Sequence, residues 1–166
     1  LALGNPDLGN PEYDLKYAQA EALAVAKTLP QSRALLRRDA TETAFRKYSA
    51  GFRYIHLATH GRFDADAPLK SALLLAPDSA SDGLLTVDKL YTMRLQADLV
   101  TLSACETGLG KVAGGDDVVG LTRGFLYAGA SSIVASLWKV DDLATSHLMT
   151  RFYSALQGGD KGAALR

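Results

Sequence analysis

Runs of apolar residues that alternate with helix-like segments limit most strongly how this chain of 166 residues can fold. Three runs, at 54–59, 99–104 and 132–138, are largely apolar throughout rather than at every second position. Strands of this kind belong to parallel sheets that are covered by helices on both faces. Helical spacing or helix-capping residues occur at 14–29, 39–48, 116–128 and 141–157. We therefore predict a three-layer α/β domain with a mostly parallel central sheet flanked by helices.

Local signals also predict where two helices begin and which face one of them buries. Asp39 and Glu42 have capping-box spacing, which predicts a helix that continues to about Tyr48. Asp141 or Asp142 can cap the last long helix. The residues expected on the inner face of that helix are Leu148, Phe152, Ala155 and Leu156.

Composition excludes several classes of function. The chain has 18 basic and 18 acidic residues, so it lacks the basic excess of a nucleic-acid-binding or membrane-surface protein. No apolar run approaches the roughly 18 residues of a membrane span, and the first residues do not have the layout of a signal peptide. The single cysteine rules out an internal disulfide and fits a reducing compartment. We expect a cytoplasmic protein that contacts neither nucleic acid nor membrane and uses no cofactor or metal.

Two residues whose side chains can act in catalysis, His60 and Cys105, each follow an apolar run. Ligands of open α/β sheets bind at the carboxyl ends of the strands, so adjacent parallel strands would bring both residues to one rim. There the imidazole can take the proton of the thiol and later give it to a leaving amine. The alternative is a buried structural thiol, because free cysteine is among the most buried residue types.

Glycines near these two residues suit a site that takes a peptide backbone. Gly61 follows His60 directly, and four glycines at 108–115 predict a loop after Cys105. The backbone amides of Gly61 and Cys105 are the candidate donors to a tetrahedral oxyanion.

Two other interpretations are weaker. His56 and His60 would share a strand face, but a third metal ligand at suitable spacing is missing, so we interpret His56 as a core histidine with one hydrogen-bond partner. Gly108–Lys111 does not form a phosphate loop, because the first glycine position is Cys105 and Val112 follows the lysine.

The two motifs together resemble the CHAT domain family, caspase-related domains that are attached to tetratricopeptide repeats. The resemblance is carried by His56-Leu-Ala-Thr-His60-Gly61, Leu102-Ser-Ala-Cys105-Glu-Thr-Gly108, Asp64, Asp98-Leu-Val, Gly114-Gly115, Gly129-Ala130 and Ser136-Leu-Trp138, and it covers almost the whole chain. It implies a caspase-like (caspase–haemoglobinase) fold and a cysteine endopeptidase with His60 as base and Cys105 as nucleophile. It also implies a protein or peptide substrate and an upstream repeat region or regulatory partner.

The resemblance also bears on the extent of the domain. The chain begins at Leu1 rather than Met and ends at Arg166 inside a predicted helix. Members of the family end with a further edge strand, which this chain stops before. We expect 1–166 to be a single caspase-like domain from a longer repeat-containing protein. The alternative function is a catalytically silent interaction module of the same fold.

A weaker similarity concerns substrate specificity. Leu137-Trp-Lys-Val-Asp141-Asp142 is similar to the segment of separase, a related protease, that supplies an acidic side chain to the pocket for the residue before the cut. In this chain Lys139 replaces the first acid of that segment. The similarity implies that Asp141 or Asp142 pairs with an arginine or lysine of the substrate. A plain helix cap is the alternative role.

Overall fold

Strands alternate with helices at both ends of the chain, as the apolar runs predict, whereas β3 to β6 follow one another without an α-helix between them. The computed structural model describes residues 1–64, 66–103, 105–106, 116–136, 140–156 and 160–165, with the backbone alone at 105–106 and 116–118. The strands are β1 (Ala2–Pro6), β2 (Ala34–Arg37), β3 (Tyr54–Ala58), β4 (His60–Arg62), β5 (Ala72–Leu74), β6 (Leu84–Thr86), β7 (Leu99–Leu102), β8 (Cys105–Glu106) and β9 (Ile133–Ala135). The helices are α1 (Ala18–Thr28), α2 (Glu42–Tyr48), α3 (Val87–Leu90), α4 (Asp116–Ala128), α5 (Asp142–Leu156) and α6 (Lys161–Ala164).

The strands form a central sheet and a smaller second sheet. The central sheet has the order β2-β1-β3-β7-β9, and all of its described pairs are parallel. The second sheet has the order β6-β5-β4-β8, with a parallel β4–β8 pair and antiparallel pairs elsewhere. The prediction of a mostly parallel central sheet is confirmed.

Alternate residues of the central strands enter two separate cores. Leu3, Ile55 and Val100 pack with residues of α2 and α4 in one core. Ala2 and Leu99 pack with residues of α1 and α5 in the other. Since successive side chains of a strand point to opposite faces, helices cover both faces of the sheet. This arrangement confirms the predicted three-layer α/β domain.

The starts of two helices differ from the sequence predictions. Helix α1 begins at Ala18 rather than near residue 14, because a 3₁₀ turn at Pro11–Tyr13 precedes it. The cap of α2 is not Asp39 but Thr41, whose hydroxyl accepts a hydrogen bond from the Ala44 amide at 3.0 Å.

Helix α5 begins where predicted but is rotated slightly from the expected face. The Asp141 carboxylate accepts from the Ala144 amide at 2.8 Å and so caps the helix. Phe152 and Leu156 are buried as expected, whereas Leu148 is 49% exposed and Met149 is buried in its place. Ala155 is also exposed. Within the described ranges, no helix is both long enough and apolar enough to cross a membrane.

Candidate active site

The site lies where two neighbouring strands pass from the central sheet into the second sheet. Strands β3 and β7 are parallel neighbours, with Leu57 paired to Leu102. After a short break in each chain segment, β4 and β8 pair in parallel, with His60 opposite Cys105. The offset in residue number is the same on both sides of the break, so one register runs through both sheets. Neighbouring strands lie about 4.8 Å apart, which makes His60 and Cys105 backbone neighbours.

His60 is buried, and the backbone carbonyl of Tyr13 fixes its ring. Only 4% of His60 is exposed, and its Nε2 lies 2.7 Å from the Tyr13 oxygen. A carbonyl oxygen can only accept a hydrogen bond, so Nε2 must carry the proton. In the neutral ring Nδ1 is then the nitrogen with a free lone pair. Nδ1 is also buried, and no described residue forms a hydrogen bond with it.

The surroundings of His60 favour its neutral form. Burial lowers the pKa of His60, and this effect outweighs the opposing effects of the Tyr13 carbonyl and of the Asp142 carboxylate. An imidazole that is neutral near pH 7, with one nitrogen held as a donor, leaves the other nitrogen able to accept a proton.

The segment that carries the Tyr13 carbonyl is held from two sides. The Asn5 side chain accepts a hydrogen bond from the Leu15 amide at 2.9 Å. The Arg37 guanidinium donates to the Asp14 carboxylate at 2.5 Å. Asn5 and Arg37 both have left-handed backbone conformations, with φ of 48° and 50°. Such positions cost about 1–3 kcal/mol each and persist where the surrounding structure requires them.

Sequence reasoning missed this segment as part of the site. Asn10 and Pro11 form a recognisable turn start, and the Asn10 side chain accepts from the Glu12 amide at 3.0 Å. The turn signal was therefore present. Its link to His60 was not, because a backbone carbonyl gives no residue signature and the two residues are far apart in sequence.

The predicted oxyanion donors both lie in the β4–β8 ladder. Gly61 pairs with Glu106 on one side and with Leu73 on the other, directly after the pair of His60 and Cys105. A Cβ atom at Gly61 would lie 3.2 Å from the Phe63 ring, so the strand packs tightly there. The role of the Gly61 and Cys105 amides as oxyanion donors stays a prediction.

Asp141 and Asp142 occupy different environments. Asp141 is exposed, and its carboxylate serves as the cap of α5. Asp142 accepts a hydrogen bond from the Tyr17 amide at 2.9 Å and lies close enough to His60 to oppose the lowering of its pKa. Of the two carboxylates, Asp142 is therefore the one near the site. A pocket role for either residue stays a prediction.

His56 is a core residue with an acidic neighbour. It is 1% exposed, and its Nε2 lies 2.9 Å from the Glu21 carboxylate, which is equally buried. The two atoms are direct neighbours, although neither makes a well-aligned hydrogen bond to a described residue. Among the residues that the structure describes, no three His, Cys, Asp or Glu side chains group as metal ligands. The Cys105 thiol, the glycine-rich loop at 108–115 and the segment 137–139 lie outside the described residues.

The fold and the arrangement around His60 define the class of protein as an α/β domain of caspase-like architecture. A family model described as the CHAT domain matches residues 1–166, and the chain belongs to the CHAT domain family. The predicted family and fold are thereby confirmed.

Two relatives of this chain carry the name of a tetratricopeptide repeat protein. Tetratricopeptide repeat protein 28 of Mus musculus is 41% identical over 81 residues, or 49% of this chain. The protein of the same name in Homo sapiens is 36% identical over 103 residues, or 55% of this chain. The matched regions are 3% and 4% of the lengths of these relatives, so this chain corresponds to a small part of each. Their names agree with the predicted association of the domain with tetratricopeptide repeats.

Proposed function

We propose that this CHAT domain is a cysteine endopeptidase in which His60 activates the thiol of Cys105. One observation carries the proposal: His60 and Cys105 are register partners, while the Tyr13 carbonyl holds the opposite side of the His60 ring. This arrangement supports a general base fixed beside a nucleophile, with the backbone carbonyl as the orienting third group.

The reaction would proceed through an acyl-enzyme. The thiol proton passes to Nδ1 of His60, and the resulting thiolate attacks the carbonyl carbon of the scissile peptide bond. The tetrahedral oxyanion collapses, the C–N bond breaks, and the imidazolium gives its proton to the departing amine. Water then attacks the thioester while His60 takes one of its protons. The carboxylic acid leaves, and the proton returns to the sulfur.

The substrate would be a protein or peptide, brought to the site by a repeat region or a regulatory partner. The names of the relatives support this, because tetratricopeptide repeats belong to those proteins. We further propose that Asp142 pairs with the basic side chain of the substrate residue before the cut. Two observations support this: the Asp142 carboxylate opposes the lowering of the His60 pKa, which requires the two groups to be near each other, and Asp142 is partly exposed. The single cysteine is in keeping with action in the cytoplasm.

Labelling with an electrophilic peptide tests the proposal. The full-length protein with its partners is treated with an acyloxymethyl ketone peptide that ends in arginine, and the modified residue is identified by mass spectrometry. We expect labelling at Cys105, no labelling of that site in Cys105→Ala, and a rate about 10²–10⁴-fold lower in His60→Ala.

His147 provides a matched control. It lies exposed on α5, so His147→Ala should label at the wild-type rate. If His60→Ala labels as fast as His147→Ala, His60 is not the base. If the wild-type protein stays unlabelled with all of its partners present, the domain is better interpreted as an interaction module.

A further inference from the structure

A cleft opens beside His60 that the proposed chemistry does not use. Its volume is about 360 Å³, within the range of roughly 300–1,000 Å³ for ligand pockets. Apolar side chains form most of its wall: Leu8, Leu74, Leu75, Pro77 and Leu84. Tyr13 also lines the cleft, and its ring meets the His60 ring edge-on with centroids 6.3 Å apart. Tyr13 is thus shared by the cleft and the candidate active site.

The floor of the cleft belongs to the sheet that carries His60. Leu74 and Leu84 are register partners on β5 and β6. Arg62 lies two residues after His60 on β4, so the alternation of side chains along a strand puts both on one face. A peptide bound to this face would therefore lie beside His60.

Among the described residues, the charge at the cleft that has no partner is positive. Arg62 is half-buried and lines the cleft, and no described residue forms an ion pair or hydrogen bond with it. Asp82 also lines the cleft, but the Lys89 ammonium lies 3.1 Å from its carboxylate. Lys89 in turn is 2.7 Å from the Glu42 carboxylate. Since Arg62 has no partner in the described part of the chain, an acidic group entering the cleft can pair with its guanidinium.

We propose that this cleft is a substrate subsite for a peptide segment that places apolar side chains on the leucine-lined wall and a carboxylate on Arg62. The inference builds on the proposed function, because it assigns the occupant as the substrate. It adds a preference that differs from the basic residue assigned to Asp142. The substrate would then carry apolar and acidic residues near a basic one.

Peptide binding to the full-length Cys105→Ala protein tests the subsite without relying on catalysis. The probes are fluorescein-labelled Ser-Leu-X-Leu-Ser peptides in which X is Glu, Gln or Lys, with Ser-Ala-Glu-Ala-Ser as the apolar control, and binding is measured by fluorescence polarisation. We expect the Glu peptide to bind about threefold to tenfold more tightly than the Gln peptide, and the Lys peptide to bind most weakly. The alanine control should bind more weakly than the leucine peptide.

Variants of Arg62 distinguish an effect of its charge on peptide binding from a general effect on folding. Arg62→Glu should reverse the order so that the Lys peptide binds best, and Arg62→Lys should keep the preference for Glu. Arg151→Glu is the matched control, since Arg151 is exposed on α5 and does not line the cleft. Leu84→Ser should weaken all of the leucine peptides by a similar factor.

Equal binding of the Glu, Gln and Lys peptides, a preference that survives Arg62→Glu, or no measurable binding of any peptide would overturn the subsite. Failure of Cys105 to label with the ketone probe would instead overturn the protease. The two results are separate, because the binding measurements are made on protein that lacks the thiol.

Discussion

Replacing His56 with phenylalanine would leave the Glu21 carboxyl group in the core without its polar neighbour. The phenylalanine ring keeps much of the shape of the imidazole and can keep the edge-on contact with Tyr153, whose ring centroid lies 5.4 Å away. The substitution therefore removes the polar partner of Glu21 while changing the packing little. Glu21 and His56 lie on α1 and β3, so the pair joins a covering helix to the central sheet.

The expected cost follows from how deeply the pair is buried. Both side chains are 1% exposed, so water cannot replace the imidazole as a partner of the Glu21 carboxyl group. Leaving a buried polar group without its partner typically costs about 1–3 kcal/mol, whereas replacing both partners with apolar groups of similar shape can be nearly neutral. We expect His56→Phe to lower the free energy of unfolding by about 1–3 kcal/mol. The double variant Glu21→Leu with His56→Phe should recover most of that loss.

Urea unfolding followed by circular dichroism measures these free energies, with each single variant and the double variant completing a cycle. His147→Phe serves as the control, because His147 is exposed and its replacement should change stability by less than about 0.5 kcal/mol. If His56→Phe costs less than 1 kcal/mol, or if the two single costs simply add, then the 2.9 Å contact does not couple α1 to the sheet.

Three further predictions concern a helix end, the charge of His60 and the segment that holds its ring. Gly129 has φ of 114° and an ideal Cβ there would lie 2.3 Å from a backbone oxygen, so Gly129→Ala should cost about 2 kcal/mol or more in urea unfolding, while Gly51→Ala, with open space around it, should cost far less. Burial lowers the pKa of His60, so below about pH 6.5 the unfolded chain binds more protons than the folded one. The wild type should therefore lose stability relative to His60→Asn as the pH falls from 7.5 to 5. Parallel curves of stability against pH for the two proteins would contradict this. Asn5→Gly keeps the left-handed backbone but removes the acceptor that anchors the Tyr13 segment, so Cys105 labelling should slow severalfold, whereas Asn5→Asp should label at close to the wild-type rate.

The fold could be predicted because its signal is repeated along the chain. Several apolar runs and helix-capping residues agree on covered parallel strands, and the observed sheet follows that pattern. Errors arose where a single position decided the outcome. Leu148 and Met149 are both apolar, so spacing alone left the inner face of α5 uncertain by one residue, and packing against the sheet selected Met149.

The candidate site was predictable only in part. His60 and Cys105 could be recognised as candidates from the sequence, because histidine and cysteine are rare in this chain and both residues follow predicted strands. The carbonyl of Tyr13 carries no such mark, and the role of Asn5 depends on a backbone angle that a residue name does not reveal. The burial of Glu21 could not be predicted either, because it depends on how the Ala-rich helix α1 packs against β3.

The continuous strand pairing through both sheets makes the spacing of two short connections interdependent. An extra residue inserted between Leu57 and His60 would slide the imidazole one position along β8 and, because side chains alternate, turn it to the opposite face. A second insertion between Leu102 and Cys105 would compensate for the first. The connections between β4 and β7 do not set this register, so a change of length there would leave His60 opposite Cys105.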